Sequence, residues 1–203
     1  MRGLVPRTER LKALFPVRYG PPVSWDHPEN VFKSFGLQRS GQHLVIEWIC
    51  RGLQEVGHLN NCGFHRRGAT YELRPRFGRQ IVYSGGVIRD SRDYPHAGSL
   101  SGHPNVFFSI EDLRLSSPLM KKLDRSQVAR TILIMRDPCN WLASSLGHGR
   151  SYAEVEVKRD TLIEYLEEAI SPGQNLRPDS VAISYNEFIL NRSYRQDLAR
   201  KLG

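Results

Sequence analysis

Six residues from Arg130 to Met135 read Arg-Thr-Ile-Leu-Ile-Met, and Arg136-Asp137-Pro138 follow at once. A short apolar run rich in β-branched residues fits a buried strand. Asp137 then offers an N-cap and Pro138 a first helical position, where its missing N–H costs nothing. A buried strand running directly into a helix is the unit of an α/β chain, so this segment constrains the fold more than any other.

The rest of the chain repeats that unit. Val31–Gly36 (VFKSFG) reads as a buried strand, and a helix follows from about His43 to Val56, with Val45, Ile49, Leu53 and Val56 at helical spacing and Gly57 as the stop. Asn105–Ile110 reads as a strand, Ser117-Pro118 as a helix start, Leu162 to Ile170 as an amphipathic helix, Ser180–Ser184 as a last strand and Tyr194–Leu202 as a last helix. Alternating strands and helices predict a mostly parallel sheet flanked by helices. Residues 1–29 carry five prolines (Pro6, Pro16, Pro21, Pro22, Pro28) and read as an irregular arm, leaving residues 30–203 as one domain. From His58 to Pro104 periodicity vanishes, apart from a short strand at Ile81–Tyr83. An irregular loop is expected there, its seven arginines suiting an acidic acceptor or simply solvent.

Composition limits the partners. Lys plus Arg number 29 against 21 acids, a net charge of +8. That bias fits a polyanionic ligand, but basic residues do not interleave with aromatics on the strands as an RNA-binding surface would require, so no nucleic acid is expected. No apolar run reaches 18 residues, so no membrane span is predicted. The N-terminus makes a poor signal peptide. Three cysteines (Cys50, Cys62, Cys139) without CxxC spacing suggest neither disulfides nor a metal site, and a reducing cytoplasm is the expected setting.

The segment Gly36-Leu37-Gln38-Arg39-Ser40-Gly41-Gln42-His43 lies between strand and helix. Backbone N–H groups and a positive helix end there suit an anion. The Gly-x4-Gly spacing matches a nucleotide-binding Walker loop as far as Gly41. The Lys and Ser/Thr that hold the terminal phosphates and magnesium are replaced by Gln42 and His43, which disfavours a magnesium-dependent kinase. Positive charge comes instead from Arg39.

A loop of this shape, with Arg two residues before Gly, resembles the 5′-phosphosulfate loop of P-loop sulfotransferases, which use 3′-phosphoadenosine-5′-phosphosulfate (PAPS). That family shares the nucleotide-kinase architecture and needs no metal. It pairs the loop with a strand ending in Arg and a Ser eight positions later; Arg136 and Ser144 match that spacing. The segment Val181–Phe188 resembles the family's strand-then-Tyr element. The resemblance implies that Arg39, Ser40, Gly41, Gln42 and His43 bind the phosphosulfate, with Arg39 also stabilising the leaving group. It implies that Arg136 and Ser144 bind the 3′-phosphate, and that the product is PAP. The acceptor would be a small molecule or glycan offering a hydroxyl or amine. Its general base would be Glu111, with Asp112, His103 and His43 as alternatives. Two departures stand out. Gln42-His43 replace small hydroxyl residues, and the chain stops at Gly203, before the family's Gly-rich basic segment, as a truncated or short form would. A related kinase and a non-catalytic PAP-binding module remain the rival readings.

Overall fold

The computed structural model describes residues 30–53, 55–67, 70–75, 80–84, 87–90, 103–120 and 130–203, with backbone alone from 63 to 90. The arm at 1–29 and the arginines of the 58–104 stretch therefore fall outside the described residues or side chains.

Five parallel strands form the centre: β1 (Asn30–Gly36), β2 (Glu55–Arg67), β6 (Asn105–Glu111), β7 (Arg130–Met135) and β8 (Val181–Ser184), in the order β2-β6-β1-β7-β8. Antiparallel strands extend the β2 edge. β3 (Thr70–Pro75) and β4 (Gln80–Ser84) both pair with β2, and β5 (Val87–Asp90) pairs with β4. The helices are α1 (Gln42–Gly52), α2 (Pro138–Gly147), α3 (Tyr152–Glu156), α4 (Arg159–Ile170), α5 (Tyr185–Leu190) and α6 (Arg192–Leu202). The α/β expectation with a parallel core is met.

Alternation along β1 and its neighbours divides the core into two layers. Val31, Phe35, Val106, Phe108, Ile110 and Leu133 face one side, where Trp141 of α2 and Tyr165 of α4 cover them. Phe32, Phe107, Ile132 and Ile134 face the other, under Val45, Ile46 and Ile49 of α1 and Phe188 of α5. Both faces are covered, as parallel strands require. Every residue of β6 is buried, and its polar members are tied down: Asn105 Nδ2 donates to the Glu55 carbonyl at 3.0 Å and Asn30 Nδ2 donates to Asn105 Oδ1 at 2.9 Å.

Three expectations need correction. The stretch from His58 to Pro104 is not a loop throughout, because it carries most of β2 and all of β3, β4 and β5. Its order comes from pairing: Val56 to Leu59 lie between β6 and β4, so a segment without alternation still forms a strand. Helix α1 ends at Gly52, not Val56, since Val56 and Gly57 already pair with Asn105 and Val106. On α4 the buried face includes Glu164 and Glu168, while Ile170 is exposed. The buried carboxylates fasten loops. Glu164 accepts from Arg114 Nε at 2.8 Å and Ser116 Oγ at 2.7 Å, and Glu168 accepts from the Gly173 and Asn175 N–H groups at 2.7 Å each. Ser117-Pro118 lies in a turn that leads into a helix at Met120, whose N–H donates to the Ser117 carbonyl at 2.9 Å.

Candidate functional site

The carboxyl ends of the central strands meet at one edge. In register, Gly36 of β1 lies opposite Glu111 of β6 and Ile134 of β7, and Met135 opposite Ser184 of β8. That edge is where open α/β sheets place their ligands. A cleft of about 380 Å³ opens there, lined by Gln38, Arg39, Gly41, Gln42, His43, Leu44, Asn61, Glu111, Arg136, Ser144 and His148. It unites two segments far apart in sequence, the loop after β1 and the turn after β7.

The loop takes its shape from two left-handed residues, Arg39 (φ 76°) and Gly41 (φ 85°). Gly41 is the N-cap of α1 and has no side-chain cap. A Cβ on Gly41 would meet the Tyr185 ring at 2.1 Å, so both conformation and space demand glycine. A helix leaves its first N–H groups without intrahelical partners, which at this end are those of Gly41, Gln42 and His43. The Ser40 N–H is not among them: it donates to the Leu37 carbonyl at 2.9 Å. Ser40 is buried and its Oγ has no hydrogen-bond partner.

The Gln42 side chain turns into the sheet. Its Nε2 donates to Ser34 Oγ at 2.9 Å, inside the sheet, and the residue is 2% exposed. At the position where a nucleotide kinase carries its phosphate lysine, the side chain here braces β1. Gly36 makes room for this: a Cβ there would lie 2.5 Å from Gln42 Oε1.

Three side chains from separate stretches of the chain hold Gln38. Its N–H donates to Asp112 Oδ1 at 3.0 Å, its carbonyl accepts from Trp141 Nε1 at 3.0 Å, and its Oε1 accepts from Arg150. Asp112, itself left-handed (φ 59°), is also ion-paired with Lys158. Burial draws the Lys158 ammonium below its ordinary value, while Asp112 works the other way. Asp112 is thus a brace for the loop and is not among the residues that line the cleft.

Glu111 is the carboxylate of the cleft. Its side chain is 6% exposed and its Oε1 lies 3.7 Å from His43 Nε2, on a ring that is 62% exposed. His43 therefore stands beside the nominated base. His103, another nominee, precedes the opposite end of β6. A seven-residue strand of roughly 3.3 Å per residue separates it from Glu111, so it cannot serve the same site.

Arg136 follows β7, and Ser144 lies two turns along α2. Asp137 caps that helix by accepting from the Asn140 N–H at 3.0 Å. Arg136 Nη1 donates to the Arg39 carbonyl at 3.3 Å, its guanidinium lies 5.3 Å from the centre of the Tyr185 ring, and its Nε is buried without a partner. The structure therefore brings Arg39, Gly41, Gln42, His43, Glu111, Arg136 and Ser144 into one cleft, with Ser40 beneath it. Sequence reasoning gave no role to Tyr185, Asn61 or His148. Tyr185 was legible as the residue after β8; Asn61 and His148 carried no signal of their own.

No family model matches the chain, and no curated protein matches it. The reading of the site rests on its own geometry. Among the described residues no helix is long and apolar enough to cross a membrane.

Proposed function

We propose that this chain is a sulfotransferase that takes a sulfuryl group from PAPS and passes it to a hydroxyl or amine. The observation that carries the reading is the convergence of Arg39 with the α1 N-terminus, and of Arg136 with Ser144, on a single cleft that also holds the buried carboxylate Glu111. Two separate anion-binding elements suit a nucleotide with phosphate at both its 3′ and 5′ positions. A volume of about 380 Å³ is in the range of small-molecule sites.

The donor supplies an activated sulfuryl group, and the chain supplies position and charge. Arg39 and the N–H groups of Gly41, Gln42 and His43 stabilise negative charge on the departing 5′-phosphate. Arg136 and the Ser144 hydroxyl hold the 3′-phosphate through charge-assisted bonds. Glu111 takes the proton from the acceptor hydroxyl or amine as its oxygen or nitrogen forms the new bond to sulfur. His43, at 3.7 Å, bears on the charge of that carboxylate. With the Gln42 side chain engaged on Ser34, the loop position that would carry a lysine-type clamp on a nucleoside triphosphate does not supply one. A member of this fold that binds PAP without catalysis is set apart by the same experiment.

That experiment follows sulfate transfer from labelled PAPS to a panel of glycans, phenols and amines. The wild-type chain is expected to sulfate at least one. Glu111→Gln is expected to bind PAP as before but to turn over roughly 10²–10⁴-fold more slowly, the share of general base catalysis. PAP binding without transfer to any acceptor would leave the chain a binding module.

A further inference from the structure

The cleft has one wall that the phosphate-binding elements do not explain. Between Leu59 and Cys62 the register of β2 against β6 shifts, and Asn61 in that bulge is left-handed, with φ 52°. A left-handed asparagine is better tolerated than most residues, but glycine would hold the same backbone with less strain. The bulge is deliberately fastened. Ser109 Oγ accepts from the Asn61 N–H at 2.9 Å, donates to Asn60 Oδ1 at 3.0 Å, and lies 3.1 Å from Nε2 of the buried His58. Ser109 sits two residues before Glu111 on β6, so the same strand fixes both the bulge and the nominated base.

Asn61 itself lines the cleft alongside Glu111 and His43. Its Oδ1 is closed off from solvent and accepts no hydrogen bond. A strained backbone, a bulge at the rim and an unsatisfied amide oxygen coincide on one residue, and each of these features gathers at functional sites. None of them helps the sheet: the bulge interrupts the β2–β6 ladder, and the orphaned oxygen costs stability.

Resting on the transferase reading, we infer that Asn61 is an acceptor-binding residue: its side chain turns out from the β2 wall, and its carboxamide, whose oxygen has no partner among the described residues, hydrogen-bonds the acceptor and holds the reacting hydroxyl or amine toward Glu111. Ser109 is the positioning residue behind it. Asn61 belongs to the β2 wall rather than to the phosphate loop or the Arg136–Ser144 pair, so it acts on the acceptor and not on the nucleotide.

Asn61→Gly removes the carboxamide and suits the left-handed backbone. It is expected to melt at or above the wild-type temperature, and to bind PAP by calorimetry with unchanged affinity. For the best acceptor in the labelled-PAPS panel, KM is expected to rise roughly 5- to 10-fold, the worth of one neutral hydrogen bond. Ser109→Ala, which frees the bulge but keeps the carboxamide, is expected to raise KM by a smaller factor. A lower melting temperature with unchanged KM in Asn61→Gly would make the residue structural and overturn the inference while leaving the transferase reading intact. A wild-type chain that sulfates nothing would sink both together.

Discussion

Arg136 donates through Nη1 to the backbone carbonyl of Arg39 at 3.3 Å. The bond joins the turn after β7 to the loop after β1, so the two halves of the cleft are not independent. An arginine suits this place because its planar fork can bond a carbonyl and a phosphate at once, which a lysine ammonium on a flexible stem does less well.

Arg136→Ala is therefore expected to weaken PAP by about 1.5–3 kcal/mol, or roughly 10- to 150-fold. Adenosine 5′-phosphosulfate, which lacks the 3′-phosphate, should weaken by a much smaller factor, reflecting only the loosened Arg39 carbonyl. Arg136→Lys should fall between wild type and Ala for PAP. Calorimetry with both nucleotides checks this, and equal losses for the two would remove Arg136 from the 3′-phosphate.

Gly41 should tolerate no side chain. Gly41→Ala meets the Tyr185 ring at 2.1 Å and also places an L-residue at φ 85°, a conformation costing about 1–2 kcal/mol by itself. The variant should lose PAP binding and melt at a lower temperature. Adding Tyr185→Ala should recover part of the stability by removing the clash, but not the backbone strain. No recovery in a double-mutant cycle would mean that the ring does not press on the loop.

Asp112 separates a brace from a base. Asp112→Asn retains an oxygen for the Gln38 N–H and tolerates φ 59°. It loses the half-buried ion pair to Lys158. Turnover in labelled-PAPS transfer should stay within a fewfold of wild type. Asp112→Ala, which frees Gln38 and strains the turn, should weaken PAP and lower the melting temperature. A fall in Asp112→Asn comparable to that expected for Glu111→Gln would restore Asp112 as the base.

His58 makes a prediction about pH. Burial, and to a lesser degree the nearby His43, lower its pKa from 6.5 to about 3. The folded chain thus keeps this ring neutral while the unfolded chain takes up a proton below about pH 6.5. The unfolded state then binds more protons, so stability is full above pH 6.5 and is lost as pH falls toward 3. One such group contributes up to about 1.4 kcal/mol per pH unit inside that window. Urea unfolding between pH 4.5 and 6.5 should show the slope, and His58→Phe should reduce it by up to one proton. An unchanged slope would mean that His58 titrates alike in both states.

The parts of the fold that were legible in sequence are those where local chemistry and tertiary placement agree. Arg130–Met135 is apolar because it is covered on both faces, and Asp137-Pro138 starts α2 by local capping. The loop after β1 showed itself through Gly36, Arg39 and Gly41, whose spacing is a backbone requirement. β2 was hidden because Gly57 and His58 owe their extended order to β6 and β4 on either side, and the bulge at Asn60 and Asn61 breaks what alternation the sequence could show. The direction of Gln42 was hidden for a similar reason: its partner, Ser34, lies on another element. The brace of Gln38 by Asp112, Trp141 and Arg150 depends on contacts across as many as 112 positions, beyond the reach of any local pattern.

The most direct test of the central claim is calorimetric titration of the wild-type chain with PAP in the presence of a chelator, alongside ATP with and without magnesium. If Arg39 and Arg136 frame a site for a nucleotide carrying both 5′- and 3′-phosphates, PAP binds without metal, raises the melting temperature, and binds more tightly than ATP under either condition. Tight binding of magnesium-ATP with no response to PAP would contradict the account and assign the cleft to a nucleotide kinase.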